Sequence, residues 1–243
     1  LQATEVTRET FWLIGPVGEV IFYWLAVLTV IVFGYGVYER FSRYTRGDSD
    51  PKDRLGDLPG RITRAAKVVL SNEKQFDRDF VGGVMHSFIL WGFLTLLIGT
   101  TILGIDIDLW TTILGQPSFF VDEFYLSYSL VMDAMGFLFV VGVGIALYRR
   151  YAVRKDRLWG KHTSAEDDFL VWALFLLGVG GYLVEGVRIL GTGFPEFETV
   201  SFVGYSLALS LEGLGLSRGG AVAVYPWLWW SHALLAFVFI AAI

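Results

Sequence analysis

The chain has 243 residues, of which 54% are hydrophobic, 16% aromatic and only 18% charged, with a mean hydropathy of +0.55. A soluble domain carries roughly a quarter charged residues, so this composition excludes a water-soluble enzyme and a disordered chain, and a net charge of −5 leaves no basic footprint for nucleic acid. The absence of cysteine excludes disulfides, thiolate metal sites and iron–sulfur clusters within the chain.

Five stretches approach the roughly 20 apolar residues needed to cross a bilayer core: 17–38, 81–103, 125–148, 169–189 and 221–243. The predicted fold is all-α, a single integral membrane bundle of five transmembrane helices whose immediate partner is the lipid bilayer. The first stretch lacks a basic flank and is too long for a cleavable signal peptide. Gly142, Gly144, Gly178, Gly180 and Gly181 read as sites of close helix contact in lipid. The chain starts at Leu1 rather than Met and stops at Ile243 within an apolar run, so we expect an excerpt of a longer polypeptide.

Basic residues set the expected topology. Arg8 alone precedes the first span, and no basic residue lies between the second and third. The first connection holds Arg40, Arg43, Arg46, Lys52, Arg54, Arg61, Arg64, Lys67, Lys74 and Arg78, and the third holds Arg149, Arg150, Arg154, Lys155, Arg157 and Lys161. Arg188 and Arg218 complete the nineteen, so sixteen lie on one side. The positive-inside rule places the amino terminus outside and connections 39–80 and 149–168 in the cytoplasm of a multi-pass plasma-membrane protein. Opposite them stand Asp106, Asp108, Asp122, Glu123, Glu196 and Glu198. Pro51, Pro59 and several glycines break the first half of connection 39–80. Ile62, Ala65, Ala66, Val69 and Leu70 then recur near helical spacing among Arg61, Arg64 and Lys67, the pattern of a short helix on the membrane surface or a partner's docking face.

Two of the three histidines lie inside spans. His86 follows Gly82 and Gly83, and His232 ends the run Trp227-Leu228-Trp229-Trp230-Ser231. An imidazole at membrane depth either hydrogen-bonds a neighbouring helix or serves a function, and a pair in otherwise apolar helices points to cofactor ligation. Haem iron takes axial histidines from facing helices, and the glycines before His86 would admit a flat macrocycle. By helical rise His86 lies about 8 Å from one end of its span, and the vertical gap to His232 is on the order of 10 Å. One shared haem requires tilt; two haems stacked across the membrane fit better and need further ligands. His162 reads as a solvated loop residue.

Glu185 and Arg188 stand one helical turn apart, either an interfacial ion pair or contacts for a quinone head group or a haem propionate. Asp133 is deep and has no assigned role. Arg78 and Lys74 precede the second span, where they suit haem propionates or lipid phosphates. The nine tryptophans read as an interfacial belt. A haem-free anchor or transporter with structural histidines is the competing class, against which stands the lack of paired broken helices or an inverted repeat.

The run from Gly82 through His86 to Phe93, with Gly99-Thr100 after it, resembles the second helix of the respiratory nitrate reductase gamma-subunit-like cytochrome b family. The likeness is greatest to the version preceding a heterodisulfide-reductase-like iron–sulfur domain, as in oxidoreductases between electron-transfer flavoprotein and quinone. Asp133-Ala134-Met135-Gly136, Glu185-Gly186-Val187-Arg188 and Trp229-Trp230-Ser231-His232 agree with it in order. The resemblance implies a five-helix bundle with one or two haems b, His86 and His232 as iron ligands, and quinone as substrate. It implies 4Fe-4S clusters only in an iron–sulfur domain outside this sequence, in cis or as a subunit, and electron-transfer flavoprotein as a possible donor. The family's second fifth-helix histidine falls in a motif expected beyond Ile243. In the two-haem pattern the second helix carries another histidine ten residues on; here that position is Leu96, which gives His232 a different partner or leaves it none.

Overall fold

A computed structural model describes residues 6–44, 46, 56–154 and 165–243, and every described element is helical. The elements are α1 (Gly15–Tyr44), α2 (Leu58–Ser71), α3 (Glu73–Arg78), α4 (Phe80–Gly104), α5 (Asp122–Leu147), α6 (Ala165–Thr192), α7 (Phe202–Gly213) and α8 (Arg218–Ala242). Pro51, Lys52, Arg54, Lys155, Arg157, Lys161 and His162, all interpreted above from sequence, lie outside the described residues. Five helices are long and apolar enough to cross a membrane, namely α1, α4, α5, α6 and α8. They outrun the sequence-based spans because helices continue past the hydrocarbon core. α4 passes into a π-helical stretch, Ile105–Ile113, making 34 residues in all, and α5 continues likewise through Tyr148–Ala152.

Packing runs around the bundle as α4 on α5, α5 on α6, α6 on α8 and α8 on α1, with α7 seated on α6. Small residues make these approaches possible. A side chain at Gly92 would strike Phe139, and one at Gly142 would strike Phe88 and the Ile89 backbone, so α4 and α5 meet nearly backbone to backbone. Gly178 admits Phe139 and Val140 in the same way, whereas Gly144 faces open space and Gly180 and Gly181 face His232. The close-contact reading therefore holds for Gly142, Gly178 and, against α8, Gly180; Gly181 makes an ordinary contact and Gly144 none.

Large apolar side chains such as Val17, Ile31, Leu97 and Val238 cover the outer surface, as a lipid-facing surface requires. The densest core sits at the acidic end, where Val187, Ile189, Leu190, Ala208, Ala221 and Tyr225 cluster. Trp12 wedges into that cluster, its ring 4.6 Å from Tyr225 and over Gly191, so it is a core residue and not part of a belt. Trp24 and Trp227 are mostly exposed, as belt residues are.

At the basic end, α2 buries none of its residues and exposes Leu58, Ile62, Val69 and Leu70. The Trp91 indole N–H donates to the Leu70 carbonyl at 3.2 Å and fixes the end of α2 against α4. Asn72, buried and left-handed (φ 51°), turns the chain from α2 into α3, a conformation asparagine tolerates. This arrangement suits a helix lying along the membrane surface.

Candidate haem and quinone site

The two histidine-bearing helices, α4 and α8, scarcely touch each other. Helices α5 and α6 close one side of the space between them, α1 flanks the other, and chambers occupy this cleft at two levels.

His86, on the second turn of α4, stands between two chambers at the basic end. One, about 700 Å³, is lined by Lys74, Gln75, Arg78, Asp79, Gly82, Met85 and Ile89, with Ala146, Arg149 and Arg150 of the α5 end and Val171 of α6. The other, about 480 Å³, is mostly apolar and reaches Phe93, Leu174, Phe239 and Ile243. Asp79 caps α4 by accepting from Gly82 N–H and also pairs with the buried Arg149. Arg150 Nε donates to Asp168 at 2.7 Å, and the Tyr151 hydroxyl donates to the same oxygen. Arg149 and Arg150, counted above as connection charges, are thus buried groups of this chamber. Arg78 and Lys74 share it with His86. The glycines before His86 divide their tasks. Gly82 lines the chamber, but the space beside Gly83 is taken by the Phe76 ring and does not admit a macrocycle.

His232 lines a second pair of adjoining chambers, of about 310 and 610 Å³. Facing it in the smaller are Leu96 and Thr100 of α4, Tyr128 and Met132 of α5, and Tyr182 and Glu185 of α6. Its Nδ1 is buried without a hydrogen-bond partner, and Gly180 and Gly181 give the ring room. His232 shares its chamber with Leu96 and Thr100, ten and fourteen α4 residues beyond His86, and α4 rises roughly 15 Å between His86 and Leu96. Two separate sites suit that spacing better than a single shared iron.

The polar residues nearby are arranged differently from the sequence expectation. Arg188 does not pair with Glu185 one turn away. Its guanidinium spans both carboxylate oxygens of Glu198, at 2.5 and 3.0 Å, and Glu198 is fully buried and also accepts from the Tyr125 hydroxyl at 3.0 Å. Two buried charges hold only when paired and fully hydrogen-bonded, which the short 3-10 turn Glu196–Val200 achieves by folding back under α6. Asp133 receives a role that sequence did not assign. Its two oxygens accept from the Val203 and Gly204 N–H groups at 2.8 and 3.0 Å, capping α7 from a neighbouring helix. Glu185 is left facing the chambers of His232, its carboxylate packed over Gly204.

Whether these residues suit a haem follows from the donor set. Among the described residues no three histidine or carboxylate side chains gather as a bare ion requires, whereas a macrocycle brings four nitrogens and needs only axial ligands. The basic-end level fits: an imidazole between two chambers, apolar walls toward α8, and Arg78 and Lys74 for propionates, with Arg149 and Arg150 already paired to Asp79 and Asp168. The acidic-end level offers one imidazole with an orphaned nitrogen and, opposite, Leu96 and the Met132 thioether.

The fold and site define an all-helical protein, among its described residues, with five helices apolar enough to cross a membrane and a histidine-bearing cleft. Among curated proteins, the chain is similar to the EtfAB:quinone oxidoreductase of Syntrophomonas wolfei, 28% identical over 234 residues covering 93% of this chain and 31% of that protein. It is also similar to the probable iron-sulfur-binding oxidoreductase FadF of Bacillus subtilis, 24% identical over 228 residues covering 88% of this chain and 30% of that protein. The chain thus spans about a third of the length of the curated relatives it matches. No family model and no solved structure matches it.

Proposed function

We propose that the chain is a membrane cytochrome b domain, of the kind the nitrate reductase gamma resemblance implies, within a quinone-linked oxidoreductase. It would exchange electrons between an iron–sulfur partner at the basic end and membrane quinone at the acidic end. The observation that carries this reading is the cleft between α4 and α8, with one histidine at each of two levels and polar groups unlike at its two ends. The names of the relatives, one a quinone oxidoreductase and one iron-sulfur-binding, support both partners, with electron-transfer flavoprotein as a donor.

Haem b bound at His86, and a second at His232, would supply one-electron carriage along the cleft. The chain's own residues do the rest. Arg78 and Lys74 neutralise propionates, the apolar walls of α4 and α8 keep water from the path, and Glu185 holds a proton at its carboxylate. Reduction of a quinone to a quinol consumes two electrons and two protons, so a carboxyl facing the chamber is what the acidic end requires. Arg188, committed to Glu198, is held within the wall of the larger chamber.

Replacing the Glu185 carboxyl by an amide tests this assignment, because glutamine keeps the shape and cannot carry a proton. Glu185→Gln is expected to slow quinol-dependent reduction of the haem about a hundredfold, with haem content and spectrum unchanged. Full-rate turnover in that variant would remove Glu185 from the reaction.

Orientation follows from the charges. A reporter fused within the connection between α5 and α6 should read cytoplasmic, and one at Glu196 external, because the opposite arrangement exposes sixteen of nineteen basic residues outside. The reversed pattern would invert the direction of the path.

A further inference from the structure

The larger acidic-end chamber lies along the gap between α1 and α4: both helices line it, yet α1 packs chiefly on α8 and its contact with α4 is minimal. The flanks of this gap are Phe22 and Ala26 on α1 and Thr100, Leu103 and Gly104 on α4. At the outer rim the Tyr23 hydroxyl donates to Asp108 at 2.5 Å and bridges the two sides. Inward, the chamber ends on Arg8, Glu185, His232 and Arg188, the last already paired with Glu198.

Arg8 is the residue the sequence left without a purpose. Its position is fixed by its neighbours: Val6 and Asp122 exchange hydrogen bonds at 2.8 and 3.2 Å, and the Thr7 hydroxyl donates to the Phe120 carbonyl at 2.7 Å. The segment is thereby tied to the start of α5, and Arg8 lines both acidic-end chambers beside Glu185 and His232. Among the described residues it makes no hydrogen bond or ion pair, although it is half-buried. A half-buried guanidinium with all its donors unused, set at the polar end of a chamber whose α1 and α4 flanks are mostly apolar, suits an acceptor oxygen that arrives with the ligand.

We propose that the slot between α1 and α4 is the quinone site, with Arg8 donating to a ring oxygen, Glu185 at the protonation position, and the isoprenoid tail leaving between Ala26 and Leu103. This rests on the reading of the chain as quinone-linked, and it adds the entry route and a binding residue. The ligand class follows from the slot itself: a polar inner end for a ring with two oxygens, and an apolar mouth within the bilayer for a chain that stays in lipid.

The test is photolabelling of the protein in its membranes with an azido-quinone bearing a short prenyl tail, followed by peptide mapping. Label is expected on the segments around Phe22–Ala26 and Thr100–Gly104. Ala26→Trp and, from the opposite wall, Leu103→Trp should each cut that label about tenfold while haem absorbance stays at the wild-type level. Arg8→Ala should raise the quinol KM about tenfold, the loss of one charge-assisted hydrogen bond, and Arg8→Lys should recover part of it. Label on other segments with normal quinol-driven haem reduction would overturn the slot and leave the quinone-linked function standing. Undiminished label in both tryptophan variants would overturn it too. No specific label together with no haem reduction by quinol would overturn both.

Discussion

His86→Ala is expected to remove the haem of the basic-end chamber while leaving the helices inserted. The chamber offers one imidazole, between two cavities and beside Arg78, Lys74, Arg149 and Arg150, and no other described histidine lies near that level. The contacts that seat α4 on α5 are made elsewhere: Gly92 against Phe139, Gly142 against Phe88 and Ile89, and Gly99 against Met132. Alanine is a strong helix former, so the backbone of α4 should persist. The measurement is haem per chain by pyridine haemochromogen assay, set against membrane-inserted protein by immunoblot. The stoichiometry should fall by a full haem, leaving at most the share held at His232. An unchanged ratio would show that the imidazole is a structural hydrogen-bonding group.

The second large effect is expected at the ion pair below the acidic end. Glu198 has no exposed surface and Arg188 almost none, so removing either partner strands a charge in a medium that cannot solvate it. Arg188→Ala and Glu198→Ala should each cost about 3–5 kcal/mol, read as a lowered thermal midpoint in detergent. Glu198→Ala also removes the acceptor of the Tyr125 hydroxyl. The double variant Arg188→Met/Glu198→Leu should recover most of the loss, since a well-packed apolar pair avoids the desolvation cost. Weaker quinone binding in Arg188→Ala with an unchanged melting curve would instead return Arg188 to the ligand site, as its spacing from Glu185 first indicated.

These cases show what a linear sequence discloses about such a protein. The five spans are legible because the bilayer imposes a length on any apolar helix, and α2 is legible because a surface helix must be two-faced. The pair His86 and His232 is legible for the same reason in reverse: an imidazole is conspicuous in an apolar helix. Partners across the fold are not. Arg188 sits one turn from Glu185, and local spacing favours that pair, yet Glu198 wins because the turn after α6 folds back and buries it. Asp133 caps α7 from seventy residues away, and nothing local marks that. α7 itself, at 12 residues, is too short to register as a span and too apolar to read as a loop. Arg149 and Arg150 count as connection charges until α5 is seen to carry them to the His86 chamber. Arg8 was visible only as a topology marker, because its setting depends on hydrogen bonds to the start of α5.

The most direct measurement is a dithionite-reduced minus air-oxidised absorbance spectrum of the purified protein, produced with haem supplied during expression. The α and Soret bands of b-type haem are expected, with His86→Ala diminishing them and Arg8→Ala leaving them intact. A flat difference spectrum from well-inserted wild-type protein would contradict the cytochrome reading and leave a haem-free bundle whose histidines bond only to neighbouring helices.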